Sequence, residues 1–263
     1  MSQPHIVYPE GHWLRGRDPA ATLDRYLDQQ AKAYSRIKNA FMIELLGDLA
    51  GKRVLDFGCG GGLLAVTAAR ARASVLGLDA EPGILAAARL LARRRGAGPG
   101  LRLACRANLP QPEECGRFAV IIAKDVLEHL PDDRAFLADA HRLLTPGGCI
   151  VIATQNRWSL NFILEGGYHR LLRRERGWWG WDPTHLRFYS PRSLRRALMA
   201  AGLFPVAWRG AFLLPYKLPA PAWSGRRFWR FDPLSRVDRW LGCCAPGNVL
   251  GWSLMVKARC PPA

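Results

Sequence analysis

Apolar residues change their spacing several times along this chain, and each change marks an element. Across AATLDRYLDQQAKAYSRIKNAFMIELLGDL, residues 20–49, they return every three or four positions. That spacing predicts one or two helices ahead of the main fold. Short, almost wholly apolar runs follow: KRVLDFG, SVLGLD, LRLAC, FAVIIAK and CIVIATQN. Runs of this kind are strands covered on both faces, the habit of a parallel sheet. Between them lie helical patterns: GLLAVTAARA, EPGILAAARLLARRRG with Pro82 near its start, and PDDRAFLADAHRLLTPGG with a Pro-Gly closing turn. Strand and helix alternating in this order predict an α/β fold with helices on both faces of a mostly parallel sheet.

The pattern loosens after Asn156. SLNFILEGGYHRLLRRE is helix-like, SPRSLRRALMAAG is a helix with Ser190 as its N-cap and Pro191 in its first position, and LFPVAWRGAF and GWSLMVKAR read as strands. The stretch from about Leu214 to Pro246 is aromatic and Pro-rich with no clear period. The expected organisation is therefore a helical segment over residues 1–50 and one domain over 51–263, with cap insertions at about 157–189 and 214–248.

Composition adds one anomaly. The 263 residues carry a formal net charge of +17, mostly from arginine. Such a surplus attracts nucleic acid, an acidic membrane surface or a phosphorylated substrate; a GC-rich coding bias is the plain alternative. The seven cysteines are scattered with no C-x-x-C pair, so neither a disulfide framework nor a zinc site is indicated. The N-terminus lacks the apolar core of a signal peptide, and no run has the length of a membrane span. The final CPPA has proline where a prenylation box has aliphatic residues. The expectation is a soluble, cytoplasmic protein, with peripheral membrane contact as an open question.

The stretch VLDFGCGGGLLA carries the most chemistry. A strand ends, a glycine turn follows and a helix begins at once, so a ligand can approach the backbone closely. There is no G-K-[ST] of a P-loop, and the dinucleotide pattern fails because residue 63 is leucine. The pattern D-x-G-x-G-x-G is met by Asp56, Gly58, Gly60 and Gly62. Here the chain resembles the class I S-adenosylmethionine (SAM) methyltransferases, over roughly residues 30–210 and the closing strand. The resemblance implies a Rossmann-like sheet of seven strands, the last antiparallel, and SAM as cofactor. It implies that Asp79, ending the second strand, takes the ribose hydroxyls, a match of one carboxylate to two vicinal donors. Helix capping by Asp56 and Asp79 is the competing structural reading. By the same resemblance Asn108 meets the adenine amine and Lys124 flanks the cofactor.

Within that class, GCGGGLLA, SRIKNAF and DVLEHLPD look like segments of the ubiquinone-pathway O-methyltransferases. That likeness implies that Arg36 pairs with the methionine carboxylate, a use suited to a guanidinium fork. Asp125, Glu128 and His129 share a face if their segment is helical. The resemblance implies a divalent ion held by Asp125, Glu128 and His129, which would lower a phenol's pKa. Two alternatives stand beside it: His129 as general base, or Glu128 and His129 as supports of the turn. His185, in DPTHLRFYS, either faces the acceptor or is structural.

Trp178, Trp179 and Trp181 belong to the eight of ten tryptophans that fall between Trp158 and Trp240. In a sheet of this kind ligands sit beyond the carboxyl ends of the strands. The rings therefore read as a cap over a hydrophobic acceptor, and with Arg170, Arg173, Arg174, Arg176, Arg226, Arg227 and Arg230 as an interfacial surface. A satellite core is the third reading. The functional expectation is a SAM-dependent methyltransferase for a hydrophobic small molecule: a phenol, a quinone precursor or a lipid-linked compound. The alternatives are an RNA methyltransferase, favoured by charge but lacking the N-P-P-Y and catalytic-cysteine motifs, and a SAM-binding module without turnover.

Overall fold

The fold was analysed in a computed structural model that describes residues 15–178, 180, 182, 184–214, 217–219, 228–230 and 232–262. Trp179, Trp181, Arg226 and Arg227 lie outside the described residues. The N-terminal helical pattern resolves into α1 (Pro19–Ala31) and α2 (Ala33–Leu46), parted where Lys32 takes an extended conformation. Asp18 caps α1 by accepting the Ala20 N–H. Then come β1 (Arg53–Phe57), α3 (Leu63–Arg70), β2 (Ser74–Asp79), α4 (Pro82–Arg95), β3 (Leu101–Cys105), the short α5 (Pro112–Cys115) and β4 (Phe118–Lys124). A single 3-10 turn (Leu127–His129) leads to α6 (Asp133–Leu143), with Asp132 as N-cap, and to β5 (Leu144–Gln155). The second part runs through α7 (Leu160–Gly167), a π turn (Tyr168–Leu172), α8 (Pro191–Ala200), β6 (Phe204–Ala211), β7 (Lys217–Pro219), β8 (Phe228–Arg230), α9 (Asp232–Leu241), α10 (Gly247–Leu250) and β9 (Ser253–Arg259).

Seven strands form one sheet in the order β3-β2-β1-β4-β5-β9-β6, and β7 pairs with β8 in a separate ribbon. The first five are parallel, while β9 runs antiparallel to both β5 and β6. This is the seven-stranded Rossmann-like sheet anticipated above, including the reversed last strand. On one face, α1, α2, α3 and α4 bury Leu23, Phe41, Met42, Ile84 and Leu85 against Val54, Val120, Ile122 and Val151. On the other, α6 and α8 bury Phe136, Leu137, Leu194 and Leu198 against Leu55, Ile121, Ile150 and Val256. Alternate strand residues thus serve two cores, as the near-continuous apolar runs required.

Three local differences from the sequence pattern have physical causes. β5 begins at Leu144, inside the stretch assigned to the closing turn of α6, because the Pro-Gly-Gly segment already bonds to the chain that follows β9, with the Gly147 N–H on the Pro261 carbonyl. The aperiodic aromatic stretch contains α9, whose Asp238 is fully buried and accepts the backbone N–H groups of Phe212, Leu213 and Leu214. Its helical pattern is masked by the prolines and rings around it. Asp125, Glu128 and His129 do not share a helix, since Asp125 has a left-handed φ of 57° and only one 3-10 turn follows. The Ser190 cap is present, with reciprocal bonds to Ser193. Among the described residues no helix is long and apolar enough to cross a membrane.

Candidate active site

The glycine turn joins β1 to α3. Gly58, Gly60 and Gly62 take φ of 70°, 53° and 81°, a region that penalises any side chain bearing Cβ. The turn is closed from α1, whose Tyr26 ring lies flat over Gly61; a Cβ added there would stand 2.4 Å from the ring. Gly61→Val is therefore expected to push α1 off the turn, at about 1–3 kcal/mol of stability, and to lower affinity for S-adenosylhomocysteine. Thermal melts with and without that ligand check both effects.

Asp79 reaches across the turn: its Oδ2 accepts the Gly60 N–H at 2.8 Å and its Oδ1 the Glu81 N–H at 3.0 Å. Burial raises its pKa, with the two N–H groups working against that rise. It thus ties the glycine turn to the start of α4 and is not the N-cap of that helix. Asp56 behaves differently. It is 2% exposed and turned toward the Ala65 N–H in the first turn of α3, whose N-cap is Gly62. Burial pushes its pKa up to about 7, against the pull of the Lys124 ammonium.

Lys124 ends β4 and donates to Asn39 Oδ1 at 2.9 Å and Gln30 Oε1 at 3.5 Å, which locks the N-terminal helices onto the strand end. Burial and the neighbouring Lys38 push its pKa down to about 8. Lys38, only 6% exposed, holds Asp125 Oδ2 at 2.5 Å and lies over the Tyr34 ring. Burial opposes its charge, but the Asp125 carboxylate outweighs burial and raises its pKa. Arg36, expected to serve the cofactor, is exposed on α2, whereas Lys38 and Asn39 of that helix reach the end of β4. Asn108 is also exposed, beside a pocket lined by Phe57, Leu130 and Phe136.

On the other side of the β4 turn, Glu128, His129 and His185 converge, each offering a donor atom within 4.8 Å of the others. Asp125, the third expected metal ligand, is not in that group, because Lys38 holds its carboxylate. His129 Nδ1 lies 3.2 Å from the Thr184 carbonyl. The Thr184 hydroxyl lies equally close but gives its proton to Asp182 Oδ1, and a carbonyl only accepts, so Nδ1 carries the proton and Nε2 keeps its lone pair. Burial lowers the His129 pKa, and burial with the neighbouring His129 ring pushes His185 down to about 4. Both imidazoles are therefore neutral at pH 7. Glu128 is fully buried, takes the Thr154 hydroxyl at 2.8 Å and is pushed up to about 8 by burial and by Asp125.

Buried polar atoms are normally paired, so exceptions ask for an explanation. Among the described residues seven side-chain atoms are buried without a partner: Tyr34 Oη, Asp56 Oδ2, Asp125 Oδ1, Glu128 Oε1, Gln155 Oε1, His185 Nδ1 and Ser253 Oγ. Asp56 is the penultimate residue of β1, Asp125 and Glu128 follow β4, Gln155 ends β5, and Ser253 opens the antiparallel β9 opposite it. All of these lie at one rim, the carboxyl end of the parallel strands. Tyr34 Oη neighbours both Ser253 and Lys38 on that rim. A polar ligand seated there would supply the missing partners.

Aromatic residues wall the same region. Phe162, Phe188 and Trp252 form a small buried cluster, with His185 edge-on to Phe188 at 5.5 Å. Trp178 packs on Phe162 at 5.5 Å and stacks on His169 at 5.0 Å, so this tryptophan belongs to a satellite core.

Comparison with known proteins agrees with this fold. The family model described as a methyltransferase domain matches residues 24–207. The ubiquinone biosynthesis O-methyltransferase of Bordetella avium is 32% identical over 183 residues, 68% of this chain and 73% of that protein. Its namesake from Cereibacter sphaeroides is 36% identical over 170 residues, 63% of this chain and 65% of that protein. Two solved structures share the fold. A SAM-dependent methyltransferase from Mesorhizobium loti has a TM-score of 0.53 at 21% identity, covering 88% of this chain and 99% of that one. Magnesium protoporphyrin IX methyltransferase from Synechocystis, with bound S-adenosylhomocysteine, has a TM-score of 0.57 at 16% identity, covering 95% and 100%. With its glycine turn, its Asp79 and this sheet, the chain belongs to the SAM-dependent methyltransferases.

Proposed function

We propose that the protein O-methylates a hydrophobic small molecule: a phenolic, quinone-precursor or lipid-linked acceptor held between the β4 turn and the aromatic cluster. The observation that carries this reading is the neutral His129, its Nε2 lone pair free, packed against His185 with the rings 4.7 Å apart, and His185 against Phe188. An aromatic wall suits a flat or greasy acceptor, and a neutral imidazole suits removal of a hydroxyl proton.

SAM, when bound, supplies an electrophilic methyl on a sulfonium whose loss leaves a neutral thioether. The glycine turn and Asp79 would hold its nucleoside end, and Lys124 with Asp125 would flank its amino-acid end. His129 Nε2 would take the proton of the acceptor hydroxyl, leaving its oxygen able to receive the methyl group. The proton would then leave His129 to water. In this scheme the chain contributes mainly alignment and a proton acceptor.

Glu128, His129 and His185 offer one carboxylate and two imidazoles, a donor set that also suits a divalent cation. The two readings separate cleanly. The base reading expects activity unchanged by a chelator, whereas the metal reading expects activity lost and then restored by added Mg2+ or Zn2+.

Incubation with methyl-labelled SAM and cell extract, followed by partition into organic, nucleic-acid and protein fractions, tests the acceptor class. Label in the organic phase supports the reading. Label in RNA overturns it and makes the basic surface a nucleic-acid clamp. No transfer at all, despite SAM binding, also overturns it and leaves a binding module.

A further inference from the structure

The divalent ion expected at Asp125, Glu128 and His129 has a competitor built into the chain. Lys38 enters from α2, and its Nζ lies 2.5 Å from Asp125 Oδ2. The lysine is only 6% exposed, and its ammonium also sits over the Tyr34 ring, 4.9 Å from the centroid. Ile37 and Phe41 on the same helix are core residues. The positive charge is therefore carried on a fixed, buried arm.

Asp125 is held as firmly. Its backbone is left-handed, with φ of 57°, and its N–H is bonded to the Ala153 carbonyl at 2.8 Å. Its carboxylate meets the lysine and stays outside the group in which Glu128, His129 and His185 bring their donor atoms within 4.8 Å of one another. Those three side chains contain a single carboxylate, which already takes the Thr154 hydroxyl. The Lys38 charge is felt at both Glu128 and His185. Hard divalent ions draw on carboxylate oxygens, and here the Asp125 carboxylate is spent on the lysine. A second cation beside Lys38 meets like-charge repulsion in a buried setting, without the Asp125 charge to offset it.

We propose that Lys38 is a resident cation, which takes at Asp125 the place of the divalent ion and keeps such an ion off this rim. A primary ammonium fixed by the fold then does the charge balancing at the β4 turn, and no Lewis acid is needed there. What this means for deprotonation of the acceptor rests on the O-methylation reading, while exclusion of the ion can be measured without turnover.

The test titrates Mn2+ into chelator-stripped full-length protein by calorimetry. Wild type is compared with Lys38→Met and with the double variant Lys38→Met, Asp125→Asn, and a cooperative thermal melt reports folding. The expected result is no ion at the rim of wild type, one ion in Lys38→Met bound about tenfold or more tightly than by wild type, and loss of that ion in the double variant. An ion on wild type that Glu128→Gln removes would overturn the proposal, because the lysine would not be keeping the site closed. So would a folded Lys38→Met that gains no affinity, because Asp125 would then be no ligand even when freed. Should Lys38→Met melt without cooperativity, Lys38→Gln, which keeps a polar partner for Asp125 and drops the charge, carries the same two outcomes. Failure of either kind leaves the acceptor class to the label-partition experiment, which does not depend on it.

Discussion

Asp79→Ala abolishes useful cofactor binding: affinity for S-adenosylhomocysteine falls by roughly 100-fold or more, since two hydrogen bonds to a charged group contribute about 1.5–3 kcal/mol each. The carboxylate has two tasks. In the structure it holds the Gly60 N–H and the Glu81 N–H, fixing the glycine turn against the start of α4. In the proposed function it would also accept the ribose hydroxyls of SAM. Alanine removes both, while Asp79→Asn keeps size and one acceptor and is expected to retain part of the affinity. Isothermal titration calorimetry on the two variants measures the loss. Binding within threefold of wild type in Asp79→Ala would remove this residue from the cofactor site.

His129→Asn lowers kcat by about 100- to 10,000-fold, the range for loss of a positioned general base, with S-adenosylhomocysteine affinity held within a few-fold. Asparagine is close in shape and keeps a donor for the Thr184 carbonyl, so the 3-10 turn is retained. The pH profile carries the second half of this prediction. Methyl transfer needs the neutral imidazole, and burial lowers the His129 pKa below its ordinary value of 6.5. Activity is therefore full at pH 7 and falls only on the acid side, with a midpoint below 6.5 that is missing from the residual activity of the variant. A midpoint above 6.5 would mean that another group takes the proton. Unchanged kcat would return His129 to the supporting role that the sequence left open.

Legibility from sequence followed the range of the interactions. Parallel strands covered on both faces write themselves as apolar runs, and a turn that needs left-handed backbone at Gly58, Gly60 and Gly62 writes itself as glycines. The Ser190 cap is equally local. The polar side of the site is assembled over long distances and left weaker marks. Lys38 meets Asp125 across 87 residues, and Lys124 meets Asn39 across 85. A lysine inside an apolar helix such as SRIKNAF reads as one more solvated charge, and nothing nearby announces its partner. Arg36 was the more conspicuous residue, yet α2 turns it to solvent. The left-handed Asp125 broke the helical spacing on which the grouping of Asp125, Glu128 and His129 depended. His185 joins Glu128 and His129 because the Leu186 N–H bonds the Glu128 carbonyl, a return of the chain that no local pattern predicts.

The most direct measurement is a crystal structure of the protein with S-adenosylhomocysteine. The ribose is expected on Asp79, the amino-acid end beside Lys124 and Asp125, and the thioether sulfur facing the His129 side of the rim, with the free space bounded by Phe162, Phe188 and Trp252. A sulfur turned away from His129, or a ligand seated away from Asp79, would contradict the assignment of this rim as the place where the methyl group moves.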